Sequence, residues 1–268
     1  MLTPYIEGSY DLDWPEVSAQ SKENSRSSRD LRKHEIAEQL LAEIVGGTLA
    51  PGEQISERTW ATRFGVAQAS IREAINILAH DGFVTKESGQ SAHVVNLSEE
   101  DVVQLYQVRA GLEGMAGYLA AAAGADVANL QSIVQDMRDA SDARDSKVLT
   151  DCDLRFHLEL CRISGNSHLF SYAQKILRPF FAFVRMRVSV SGQGTSAWGQ
   201  DVDAHQRIID LIREGEAELA EHYVKKSMVR FASTARKNWI PHDKRSEGYA
   251  PPSDGKRRRN RSSVRTDE

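Results

Sequence analysis

Apolar positions along this chain recur mostly at helical spacing, and Gly and Pro divide them into blocks. From about Arg29, the residues Leu31, Ile36, Leu40, Leu41 and Ile44 mark one amphipathic helix, which Gly46-Gly47 stops. After a Pro51-Gly52 turn, Ser56 stands before Trp60, Ala61 and Phe64 as an N-cap stands before an apolar stripe, and Gly65 closes that helix. A second stripe follows at once through Ile71, Ala74, Ile75 and Leu78, with Gln68, Ala69, Ser70 and Arg72 clustered at its exposed start. Asp81-Gly82 breaks this helix. Phe83-Val84-Thr85 and His93-Val94-Val95 then predict two strands joined by a turn at Ser88-Gly89. Two short helices and a small antiparallel hairpin make a winged helix-turn-helix, and residues 68–72 are what a major groove would meet.

Beyond this stretch the period stays helical. Ser98-Glu99-Glu100-Asp101 reads as a helix start, with a hydroxyl cap and acids in the first turn. Helices are predicted at about 99–123, 127–144, 147–164, 167–190, 200–214 and 216–239, with Pro241 ending the last. The fold class is mainly α: a winged helix-turn-helix over 29–97, followed by an all-α helical bundle over 98–240. Residues 1–28 are polar and Ser-rich, with Tyr5, Tyr10 and Trp14-Pro15, and read as a disordered arm. Residues 241–268 read as a disordered basic tail, with eight basic residues against five acidic ones. Such a tail is either a solvated end or an arm adding phosphate contacts.

Composition adds constraints. A chain of 268 residues with 40% apolar and 7% aromatic content suits one or two ordinary folded domains. The net charge is −4, and residues 30–97 hold six Lys and Arg against nine Asp and Glu. That acidic balance works against phosphate attraction. Arg58, Arg63, Arg72 and Lys86 can still make a local basic face. Cys152 and Cys161 are nine residues apart, on opposite faces of a helix, so they form no disulfide framework. No stretch approaches the roughly 20 apolar residues that span a bilayer, and the expected location is cytoplasmic, away from membranes.

The helical half carries the more chemical constellation. Asp153 and His157, at i and i+4, project from one helix face, and His205 begins a separate helix backed by Ile208, Ile209, Leu211 and Ile212. One carboxylate and two imidazoles are a set that zinc-like divalent metals accept. Arg109 falls within an apolar stripe of Leu105, Leu112, Ala116 and Leu119, which turns its guanidinium inward. A buried cation needs a partner. Either Glu113 one turn on supplies it, or the planar fork grips the carboxylate of a small organic acid.

The run Gly65-Val66, Ile71-Arg72-Glu73-Ala74, Leu78 and Asp81-Gly82-Phe83-Val84 resembles the DNA-binding domain of GntR-family bacterial transcription regulators. The resemblance implies DNA contacts from Arg58, Arg72, Gln68, Ala69 and Ser70, with His93 on the wing beside them. Ala67 and Gln68 replace the usual Ser or Thr and Arg, and Ser91 replaces the usual wing Gly. A Gln reads adenine where an Arg would read guanine. The pattern Asp153-x-x-Phe156-His157, Ser164-Gly165-Asn166 and Ala204-His205, with Arg109 and Leu112-Glu113 upstream, resembles the FCD effector domain of the FadR-like branch. This implies a homodimer on operator double-stranded DNA, switched by a small organic-acid effector. It also implies a divalent metal of zinc or nickel type on Asp153, His157 and His205, with Ser227 where metal-binding members carry a fourth His. His222, five residues earlier, lies on another face. Either a three-ligand metal is completed by water or effector, or the pocket is metal-free. Arg230 and Tyr223, a turn either side of Ser227, and Asn166 complete the expected effector pocket. Two other readings are a metal-dependent enzyme using Asp153, His157 and His205, and a helical interaction module with a degenerate winged domain.

Overall fold

The computed structural model describes residues 28–86, 91–191 and 202–237. The arm at 1–27, the Ser88-Gly89 turn, Pro241 and the basic tail lie outside the described residues, as does the side chain of Leu31.

Helix α1 (Ser28–Val45) buries Ile36, Ala37, Leu40 and Ile44 and packs on α3 (Gln68–His80), which buries Ile71, Ala74, Ile75 and Leu78. Between them α2 (Glu57–Phe64) starts at Ser56, whose hydroxyl accepts from the Thr59 amide at 3.3 Å. It ends at Gly65, whose left-handed φ of 66° a side chain would strain. Trp60 is buried and meets the half-buried Phe64 edge to face at 5.2 Å. The hairpin is shorter than the pattern predicts. Strands β1 (Val84–Thr85) and β2 (His93–Val94) are antiparallel with Val84 opposite Val94. The second strand also pairs on its other side with the segment before α2. Ile55 N–H donates to the Ala92 carbonyl at 2.8 Å, and the Val94 N–H donates to the Glu53 carbonyl at 2.9 Å. Residues 53–55 therefore complete the wing, which the sequence pattern does not reveal.

The helical half is built around α4 (Glu99–Ala122). The Ser98 hydroxyl accepts from the Asp101 amide while the Asp101 carboxylate accepts from the Ser98 amide at 2.9 Å, a full capping box. Helices α5 (Ala128–Asp142), α6 (Ser146–Ile163), α7 (Ser167–Ser191), α8 (Val202–Glu214) and α9 (Ala217–Lys237) follow, and α6 to α9 all touch α4. Helix α9 runs antiparallel along α4: Gly114 and Gly117 meet residues 220–225, and Arg236 reaches Glu99 at 2.9 Å. Phe156, Phe180, Phe181 and Phe183 form the centre of the core, each contributing about 1.5–3 kcal/mol by leaving water.

One predicted stripe is displaced. Leu105, Leu112 and Leu119 are only half-buried, and the face that goes inside α4 carries Val102, Tyr106, Arg109, Glu113, Ala116 and Ala120. A charged pair lies in that core face because α6 and α7 bring it partners. Helix α7 also passes through Pro179 unbroken, although Pro removes one helical hydrogen bond.

Candidate metal centre and nucleic-acid interface

Helix α6 presents Asp153 and His157 one turn apart on its inner face, and the first turn of α8 brings His205 against them. All three are buried, and one ligand atom of each lies within 4.8 Å of the others. Asp153 Oδ1 sits between the two imidazoles, 3.2 Å from His157 Nε2 and 3.0 Å from His205 Nε2. Phe156 closes one side, its ring 4.6 Å from that of His205, and Phe181 stacks on His157 at 5.9 Å.

Behind His157 stands Glu113. One carboxylate oxygen lies against His157 Nδ1, and the other accepts from Arg109 Nε at 2.7 Å. Arg109 is 2% exposed, and its guanidinium is enclosed by Tyr106, Phe180 and Phe181 at 4.9–5.1 Å from their ring centres. The i, i+4 pairing of Arg109 with Glu113 is therefore the arrangement found, and Arg109 Nε is not left for a ligand.

Charge in this cluster is mutually arranged. Burial alone pushes Asp153 up, but hydrogen bonds from His157 and His205 hold its carboxyl well below the usual range. Burial also favours a neutral His157, yet the adjacent Glu113 charge raises its pKa. Glu113 is likewise opposed by burial and held low by Arg109 and then His157. Burial pushes the Tyr106 phenol up to about 12, with Arg109 opposing. The result is a buried carboxylate with two imidazoles beside it, one of them backed by a second carboxylate. Ligating histidines commonly have such a carboxylate behind them. The donor set thus fits a borderline divalent metal.

The remaining pocket residues are scattered. Ser227 is buried on α9. Tyr223 is half-buried. Arg230 is exposed, with its guanidinium over Phe231 at 5.1 Å, so it does not share the buried face of Ser227. Asn166 is exposed and caps α7, its side-chain oxygen accepting from the Leu169 amide at 3.0 Å. The sequence pattern missed Glu113 as the partner of His157 and the aromatic enclosure of Arg109. The Phe180-Phe181 pair was visible, but no local spacing links it to α4.

On the winged domain, Arg58, Gln68, Ala69 and Arg72 are exposed, and Ser70 and His93 are half-buried. Arg63 is held by Glu43 at 2.7 Å and lies over Trp60, which draws it away from a basic face. Arg72 is held too, by Glu57.

Residues 32–94 match the family model "Bacterial regulatory proteins, gntR family", and residues 104–229 match the FCD domain. The chain belongs to the GntR family. Its relatives include the probable D-xylose utilization operon transcriptional repressor of Paenarthrobacter nicotinovorans, 27% identical over 202 residues, which are 74% of this chain and 86% of that one. The gluconate operon transcriptional repressor of Bacillus subtilis (strain 168) is 27% identical over 210 residues, covering 75% and 83%. A putative GntR transcriptional regulator from Rhodococcus sp. RHA1 shares the fold, with a TM-score of 0.67 at 20% identity over 78% of this chain and 100% of that one. This GntR protein is a ligand-responsive transcription regulator with an FCD effector domain. Its family consists of regulators and not enzymes, which removes the metal-dependent enzyme reading. The GntR domain implies operator DNA as a partner, and metal binding is common among FCD domains. Among the described residues no helix is long and apolar enough to cross a membrane.

Proposed function

We propose that this regulator binds its operator as a homodimer in the cytoplasm and is switched by a small organic acid in the helical domain. Residues 29–97 serve as the DNA-binding module and 98–240 as the effector and dimerisation domain. Asp153, His157 and His205 would hold a divalent metal of zinc or nickel type. When bound, such a metal supplies a fixed positive charge to which a carboxylate can bind. Ser227, with a hydroxyl in place of an imidazole, leaves coordination open to water or effector.

The observation that carries this reading is the convergence of the three ligand atoms within 4.8 Å, with Glu113 behind His157. Arg109 acts through Glu113, holding that carboxylate toward His157 and not taking the effector itself. The relative that represses a gluconate operon supports a hydroxy acid as the effector class. Dimerisation is supported by α4, where Val108 and Met115, one heptad apart, are 46% and 44% exposed. A second copy would cover them by a symmetric contact.

Effector binding would favour one relative arrangement of the two winged domains and so change the half-site spacing they span. Elemental analysis of protein purified without an affinity tag tests the site. About one metal ion per chain, lost in His205→Ala, is the expected result. Metal-free protein in both cases, with carboxylates still raising its melting temperature, would leave an organic-acid pocket without a metal.

A further inference from the structure

The exposed start of α3 carries one side chain that is already tightly engaged. Arg72 Nε donates to both carboxylate oxygens of Glu57, at 3.1 and 3.2 Å, and its Nη2 donates to Glu57 Oε2 at 2.8 Å. The pair joins the first turn of α2 to α3, and the Arg72 side chain stays 57% exposed against 28% for Glu57. A guanidinium has two edges able to make paired hydrogen bonds. Glu57 occupies the side-on edge, made by Nε and Nη2. The end-on edge, made by Nη1 and the second Nη2 hydrogen, is turned away from it.

We propose that Glu57 is a positioning residue for base reading, which fixes Arg72 so that its end-on N–H pair meets the O6 and N7 of a guanine in the major groove. This rests on the winged domain being the operator-binding module. Two features favour a base over a phosphate. Arg72 lies among the first residues of the second helix, the part that contacts base edges in helix-turn-helix proteins. The pair is also close to neutral, so it adds little to phosphate attraction, which depends on net positive charge. What survives neutralisation is direction, and direction is what a bidentate guanine contact uses.

The test uses the full-length chain and a pool of DNA duplexes with a randomised centre. Wild type is expected to enrich a sequence with a guanine at one fixed position in each half-site, and Arg72→Ala to lose that preference. Glu57→Gln should cut the preference for that guanine by about tenfold or more, the scale of one good bidentate contact. Its affinity for random duplex should hold or rise, with a steeper salt dependence, because Arg72 is released to seek phosphates. Glu57→Asp, which keeps the charge at shorter reach, should shift the preference in the same direction by less. Glu57→Gln enriching the same guanine as strongly as wild type would overturn the proposal and leave the DNA-binding reading intact. A uniform loss on all duplexes would also overturn it, since Arg72 would then be a phosphate anchor. Wild type enriching no sequence at all would overturn the operator reading itself. Thermal unfolding of each variant separates these results from loss of fold.

Discussion

Gly82 meets Pro179: a Cβ on Gly82 would stand 3.2 Å from Pro179 Cγ. The first residue belongs to the turn after α3 in the winged domain, and the second lies inside α7 of the helical domain. Arg178, next to Pro179, is half-buried near Asp81, and burial lowers its pKa against the raising effect of the Asp81 charge. The next two residues, Phe180 and Phe181, enclose Arg109. A continuous packed path therefore runs from the cluster of Asp153, His157 and His205 to the end of α3. Gly82 has φ of +83°, which a side chain resists, and the ring of Pro179 cannot swing aside as a flexible chain would. Gly82→Ala should destabilise the protein by about 1–2 kcal/mol, the usual cost of a side chain in the left-handed region. Urea unfolding checks the stability. Operator binding with and without effector checks whether the two domains lose their coupling; unchanged unfolding would show that the turn relaxes freely.

Glu113 holds a buried cation and a buried imidazole at once. Glu113→Gln leaves Arg109 without its counter-charge in an aromatic enclosure, and breaking a buried pair in this way costs about 3–5 kcal/mol. With its remaining oxygen kept on Arg109, the glutamine turns an NH2 donor toward His157 in place of the acceptor, and such a change typically weakens metal affinity by about 10- to 100-fold. Denaturant unfolding of the metal-free protein and competitive zinc titration measure the two effects separately. Equal zinc affinity in the variant would argue that His157 is oriented by packing alone.

The capping box at the start of α4 makes a pH-dependent contribution. Hydrogen bonds from Ser98 hold the Asp101 carboxyl below its ordinary value in the folded protein. The contribution is thus present above the unfolded carboxyl value and fades as pH falls through the lower folded value. Ser98→Ala should cost about 1 kcal/mol at neutral pH, as loss of an N-cap does. The difference from wild type should shrink as pH falls through the lowered value of the folded carboxyl. Equilibrium unfolding at neutral and acid pH gives both numbers, and a constant difference would assign the effect to the hydroxyl alone.

Both cysteines are buried free thiols. Burial pushes Cys152 up to about 11 and raises Cys161 well above its ordinary value. Since the thiolate is the nucleophile, iodoacetamide at pH 8 should label neither in the folded protein and both after unfolding. Rapid labelling of the native state would indicate that α6 opens locally.

Sequence periodicity alone was enough to recognise the helices, because each element's stripe and caps are written within its own few residues. Ser56, Gly65 and Ser98-Asp101 mark ends through bonds spanning three or four positions, which spacing can reveal. Asp153 and His157 were legible for the same reason, as i, i+4 neighbours. The face of α4 that goes inside was not. Hydrophobicity favours the leucines at 105, 112 and 119, yet the face with Arg109 and Glu113 is buried because α6 and α7 bring His157, Phe180 and Phe181 to satisfy it.

The third side of the wing was hidden likewise, since residues 53–55 pair with 92–94 across the whole of α2 and α3. The sequence by itself determined the two-part architecture, its helices and the i, i+4 placement of Asp153 and His157, all carried by local spacing. Only the tertiary structure decided that Glu113 orients His157, that Arg109 serves Glu113, that Glu57 holds Arg72 and that Gly82 touches Pro179. Each of those contacts joins side chains on different elements or tests a burial choice between two faces of one helix. Neither is decided until the chain has packed.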